Sequence, residues 1–239
     1  MNYGEEIAYW YLRLNGFFPI TNFVIHRSSE IEYSSDCDLL AIRLPSVYEE
    51  IGGKPDDWDE GLAQELGFDH TVGVICEIKT GAYDLKDIFR PEYVRYSVGR
   101  LGFTPRETIA DVSEKLNEVA LLDIEEGRRI CKLLIANDQK DSSSFLFRSL
   151  NSAEDFIRDR VRKYPKEKYA DRMYFGSELF QHTIHLIHRE KEEQAQKRPT
   201  QRAADLAVRA AFSGIFSGFK LVLAKRRYLT PPQASNASR

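Results

Sequence analysis

Asp36, Asp38, Glu77 and Lys79 are the residues of this chain whose types and spacing suit chemistry. They lie in two apolar, strand-like runs, Asp36-Cys37-Asp38-Leu39-Leu40-Ala41-Ile42 and Val72-Gly73-Val74-Ile75-Cys76-Glu77-Ile78-Lys79. In a strand, residues two apart share a face, so Glu77 and Lys79 point together while Val74, Cys76 and Ile78 point away. Ionisable groups beside a core strand are costly unless something binds them. Two carboxylates with a lysine alongside can hold a divalent cation and meet a phosphate, which is oxygen-ligand chemistry for a hard ion. Asp36 and Asp38 project from one face and compete for the place of the strand carboxylate.

The elements that must position these groups can be read from periodicity. Ile7, Trp10, Tyr11 and Leu14 recur at helical spacing, with Gly16 as a stop, and predict a helix over about residues 3–15. Strands are expected near 22–27, 37–43, 72–79 and 130–136, with a helix near 91–102 opened by Pro91 and closed by Gly102. The order is αβββαβ. Residues 107–126 read as an acidic helix, and Asn151 with Glu154 three positions on reads as a capping box opening another helix to Tyr164.

The Asp38 and Glu77-Ile78-Lys79 pattern, set in this order of elements, resembles the PD-(D/E)XK nuclease superfamily. Within it, Gly4-Glu5-Glu6-Ile7-Ala8 through Tyr11-Leu12 to Gly16-Phe17, followed by Asn22, is most similar to the Holliday-junction-resolvase-like branch. The resemblance covers residues 3–136. It implies an α/β, restriction-endonuclease-like fold: an αβββαβ core with a mixed central sheet flanked by helices, here with a C-terminal helical extension. It also implies a Mg²⁺-dependent enzyme, with Mn²⁺ as a substitute, that hydrolyses phosphodiester bonds in DNA. Asp38 and Glu77 would be carboxylate ligands, Ile78 would lend its backbone carbonyl, and Lys79 would act on the attacking water. Glu5 would complete the metal site, although its spacing from Asn2 equally suits a capping box. Asp38 is preferred to Asp36 because the superfamily's apolar run follows its Asp directly. The helix after Lys79 places Tyr96 and Arg100 on one face, where the superfamily often brings a basic group to the phosphate. The same fold kept as an inactive module for nucleic-acid binding, or for assembly in a restriction or defence complex, is the rival expectation.

Composition bounds these expectations. With 239 residues and 42% apolar content the chain can bury one good-sized core. A net charge of -3 excludes binding of nucleic acid through bulk positive charge, so any polyanion site must be local. Three cysteines, of which Cys37 and Cys76 are expected beside the acidic residues on the opposite strand face, suit reduced thiols, and no secretory signal is legible, so a cytoplasmic location is expected. The expected organisation is a nuclease-like domain over 1–190 with an acidic insertion at 44–71, a charged linker at 191–202, a helix at 203–229 and a disordered tail at 230–239. The insertion and the 203–229 helix, which carries Gly214 and Gly218, are the expected contact surfaces for a second copy or a protein partner. That helix is too short in uncharged residues to span a membrane. Arg158, Arg160, Arg162 and Lys163, with Lys166, Lys168 and Arg172 beyond them, alternate with acids and read as a salt-bridged surface. His182, His185 and His188 follow one helical stripe and read as its polar edge rather than a metal site.

Overall fold

A computed structural model describes residues 2–25, 35–140, 142–164, 181, 182 and 184–194. The chain divides into two compact units, Met1–Ile187 and His188–Arg239, and among the described residues the second consists of helical backbone at 188–194. The expected 195–202 stretch of the linker, the 203–229 helix, the 230–239 tail, and Lys166, Lys168 and Arg172 all lie outside the described residues.

The first unit is an α/β structure with a mixed, open sheet. Helix α1 (Tyr3–Leu14) leads into β1 (Phe18–Ile25), β2 (Ser35–Arg43) and, after α2 (Glu60–Leu66), β3 (Thr71–Lys79). Then come α3 (Pro91–Leu101), α4 (Ile109–Glu118), β4 (Leu121–Ile124), β5 (Arg128–Ala136), β6 (Leu146–Ser149) and α5 (Leu150–Lys163). Strands β1, β2 and β3 are antiparallel neighbours, and β3 runs parallel to β5. Strand β4 pairs antiparallel with Arg128–Cys131 and β6 pairs parallel with Leu133–Ala136, so the two share one edge of β5 end to end.

Alternation along the central strands builds two cores. Leu39, Ala41, Val74, Cys76, Ile78 and Leu133 face α1, α2 and α5. Leu40, Ile75, Ile130 and Leu134 face α3 and α4. Strand β3 is buried from Val72 to Ile78, as expected of a central strand with helices on both faces.

Four expectations need correction. The 107–126 segment is a shorter helix followed by strand β4, because Leu121 and Leu122 find a ladder along β5. Helix α5 is capped by Ser149, whose side chain accepts from the Ser152 N–H, and not by Asn151. Residues 44–71 are more than an acidic insertion, because they carry α2, whose Leu62 and Leu66 are fully buried, and Asp59 both caps α2 and accepts from the Tyr11 hydroxyl at 2.8 Å. Cys37 was expected opposite the acidic face, yet its thiol takes a hydrogen bond from Tyr93 of α3 at 3.0 Å.

Two basic residues of α5 serve this docking. Arg160 is buried and donates to the carbonyls of Gly52 and Asp57, and Lys163 pairs with Asp57 at 2.6 Å. Arg158 pairs with Glu154 and Arg162 with Asp159 along the helix. Ile184 and Ile187 pack into the α1 side of the core, while His182, His185 and His188 are exposed.

Candidate active site

The end of β3 gathers three charged side chains. Strand alternation sends Glu77 and Lys79 to the α3 face, as their spacing predicts, and the β2 ladder delivers Asp38 beside them. Lys79 Nζ lies 3.1 Å from Glu77 Oε2 and 3.8 Å from Asp38 Oδ2. Asp38 Oδ2 also accepts the Ile78 N–H at 2.8 Å. That hydrogen bond takes the place of a ladder bond, because the β2–β3 pairing ends at Leu39 and Cys76. Within a strand, the N–H and C=O of one residue leave on the same edge, so the Ile78 carbonyl emerges toward Asp38 while its side chain sits in the opposite core.

Glu77 is the most enclosed of the three. Its side chain is 8% exposed, against 25% for Asp38 and 31% for Lys79. Oε1 accepts the Phe89 N–H at 2.8 Å, leaving Oε2 to Lys79. Burial pushes the Glu77 carboxyl above its ordinary value, and Lys79 and the Phe89 N–H pull it back. Phe89 itself holds φ at 46°, a left-handed conformation that a bulky side chain rarely adopts. Ile88, Phe89 and Tyr93 are all buried around it, and Phe89 packs on Phe145 at 5.7 Å, so the surroundings enforce the strained backbone. Behind Glu77, burial pushes the Cys37 thiol up to about 12, which makes it an inert packing group.

Glu5 and Arg100, also expected here, are engaged in other contacts. Glu5 spends its carboxylate on the helix start: Oε2 takes the Asn2 N–H at 3.0 Å, Oε1 takes the Asn2 side chain at 2.5 Å, and Asn2 in return caps the Glu5 N–H. This is the capping box. Arg100 lines an apolar groove with Phe18, Ile20 and Ile42, at the far end of α3. Its neighbour Leu101 packs on Gly73, about 20 Å along β3 from Lys79 at the usual strand rise. Backbone pairing places Asp36 opposite Val24, and its side chain lies outside the described ones.

No protein-family model, curated protein or solved structure matches this chain.

Among the described residues no group of three or more His, Cys, Asp or Glu side chains is placed to hold a metal ion. What the site offers is a carboxylate pair and a backbone carbonyl on the edge of β3 that faces Asp38. The donor set is all oxygen, and two carboxylates facing one lysine leave an excess of negative charge in a partly buried place. That suits a hard cation such as Mg²⁺, which takes one or two carboxylates and fills its remaining positions with water and phosphate. Phe89 and Tyr93 escaped the reading of the sequence. A left-handed phenylalanine carries no local signature.

Proposed function

We propose that the protein is a metal-dependent nuclease that hydrolyses phosphodiester bonds in DNA, with a PD-(D/E)XK-type site on a restriction-endonuclease-like fold. The observation that carries this reading is the convergence of Asp38 and Glu77 on Lys79 where the pairing of two adjacent strands ends. The order of helix, three antiparallel strands, helix and parallel strand supports it further.

Asp38, Glu77 and the Ile78 carbonyl would hold the cation. Bound Mg²⁺, or Mn²⁺ in its place, supplies Lewis-acid polarisation of the phosphate and a more acidic water. Lys79 orients that water and offsets the charge gathering on the phosphate oxygens. The water oxygen forms the new P–O bond and loses its proton to solvent. The ester P–O bond breaks, and the departing oxygen takes up a proton. Phe89 fixes the Glu77 carboxylate through its N–H, so that one oxygen remains directed at the site.

A second reading is a nuclease-fold module that binds nucleic acid or assembles with partners without cutting. It is favoured by the commitment of Glu5 to its capping box, which leaves the site with two carboxylates among the described residues. Incubation with plasmid, linear, single-stranded and branched DNA, and with RNA, in Mg²⁺ or Mn²⁺ against EDTA separates the two. Cleavage that needs metal and is lost in Glu77→Ala and Lys79→Ala supports the nuclease. Cleavage surviving both substitutions removes the assigned site, and binding without cleavage supports the module.

A further inference from the structure

Strand β1 is the outer strand of the sheet: among the described residues it pairs with β2 alone, and its other edge is open. Native proteins keep such edges short, charged or covered, because an open apolar edge invites association. Here the edge carries Phe18 and Ile20, which are 60% and 56% exposed. They lie opposite Ile42 and Leu40, so they point to the α3 side of the sheet, beyond the cover that α3 gives Leu40. Tyr48, 63% exposed, shares the wall of one hollow with Phe18. At roughly 200 Å² for each of these three residues, about 350 Å² of their surface meets solvent.

The patch has the shape of its own complement. Phe18 stands between two hollows, one of about 220 Å³ lined by Leu40, Ile42, Arg100 and Leu101, and one of about 430 Å³ lined by Trp10, Tyr48 and Trp58. A ridge beside hollows on one surface is what a two-fold contact needs, since each copy must offer both. The charges agree: Arg13 and Glu49 both line the larger hollow and cancel, so a partner with no net charge at that place fits it. The area agrees as well. An interface of ordinary size buries about 800 Å² on each partner, of which about 60%, or about 480 Å², is apolar. Three exposed side chains here supply most of that. Pro19, between Phe18 and Ile20, takes a donor from the open edge, which disfavours an added strand and leaves side-chain packing as the mode of contact.

We propose that this face joins two copies of the chain about a two-fold axis beside Phe18, the Phe18 ring of each copy entering a hollow of the other. Strand pairing sets Phe18, Ile42 and Gly73 in one row, six residues along β3 from Lys79 and about 20 Å away at the usual strand rise. The contact therefore leaves the carboxylate site open on each copy and does not depend on what that site does.

Sedimentation equilibrium of the full-length protein in EDTA, from about 1 to 100 μM, tests it. EDTA keeps the result independent of metal binding and cleavage. The proposal expects reversible dimers of twice the chain's mass within that range, and association weakened about tenfold or more in Phe18→Lys and in Ile20→Lys. Both side chains are more than half exposed, so the substitutions spare the fold, and unaltered circular dichroism checks this. Leu85→Lys makes the same change at an exposed leucine in the short turn after β3 and should leave association unaltered. A wild-type protein that stays monomeric throughout overturns the proposal and gives the face to another occupant. Dimers that survive Phe18→Lys and Ile20→Lys, or that are lost equally in Leu85→Lys, overturn it too.

Discussion

Replacing Lys79 with methionine tests the electrostatics of the carboxylate site without reference to activity. The substitution keeps the aliphatic stem but leaves Glu77 and Asp38 facing each other with no cation at 3.1 and 3.8 Å. At an effective dielectric constant near 20, those attractions are about 5 and 4 kcal/mol in gross Coulomb terms. Most of this is offset by the desolvation of the ammonium and by the partial exposure of Lys79 and Asp38. A net loss of about 2 kcal/mol follows, below the 3–5 kcal/mol of a fully buried pair. For a chain of this size that is a fall in Tm of about 4–8 °C. The pH dependence has a definite sign. The folded Glu77 carboxyl sits above its ordinary value, so in that window the native state holds a proton that the unfolded chain releases, and stability falls as pH rises. Without Lys79 the window widens upward, so the destabilisation should be large at pH 8 and shrink toward pH 5. Scanning fluorimetry in EDTA across that range measures it, and Mg²⁺ added at pH 8 should recover part of the loss. A variant within about 1 °C of wild type at pH 8 in EDTA would show that Lys79 is not the counter-ion of this pair.

Glu77→Gln removes the buried charge and keeps the shape, so it should raise Tm in EDTA by about 2–4 °C while abolishing any stabilisation by Mg²⁺; a lower Tm would refute the assigned burial cost. Glu5→Gln preserves the capping box and should leave both Tm and cleavage unchanged, whereas Glu5→Ala should cost about 1 kcal/mol. Loss of cleavage in Glu5→Gln at unchanged Tm would return Glu5 to the metal site. Burial lowers the ammonium of Lys132 to about 8 against a carbonyl partner on Asn117 and the more distant Glu118. Its unfolded form binds the proton up to about 10.5, so stability should rise with pH between about 8 and 10.5. Lys132→Met should abolish that rise and add about 2 kcal/mol at pH 7, measured by urea unfolding.

How much of this was legible in the sequence depended on whether the signal was local. Helix α1, strands β2, β3 and β5, and helix α3 announce themselves through period and punctuation: Gly16 and Gly102 both hold positive φ at 84° and 70°, as stops should. Strand β4 did not, because Leu121–Ile124 is four residues inside an acidic stretch and earns its conformation only by pairing with β5. The burial of α2 and its flank was hidden by the carboxylates of residues 44–71, although Trp58, Leu62, Leu66 and Phe68 carry the apolar spacing. At the site, Asp38, Glu77 and Lys79 were legible because strand geometry fixes neighbours two apart and the ladder fixes the rest. Arg100 was not, since helical phase fixes a face but not which end of the helix meets the site. Phe89 was invisible for a related reason: its backbone is set by the packing of Ile88, Tyr93 and Phe145, not by its own identity.

Buried charge in this protein falls into two kinds, and the contrast bears on function. Arg43 and Lys132 are isolated cations met by neutral dipoles and rings: the carbonyls of Asn15, Leu44 and Phe68 for one, and the Asn117 carbonyl in the last turn of α4 for the other. The helix C-terminus favours the Lys132 cation, so its cost is contained locally, whereas one amino group of Arg43 stays without a partner among the described residues. At the end of β3 the opposite choice is made. Two like charges are brought within reach of one lysine, one of them nearly enclosed, and its second oxygen is tied to a phenylalanine held in a rarely populated conformation. Each of these features is destabilising alone, and an apolar pair at Asp38 and Glu77 would extend the neighbouring core with none of them. Strain and like-charge crowding that packing must hold in place are the marks of a site kept for a ligand.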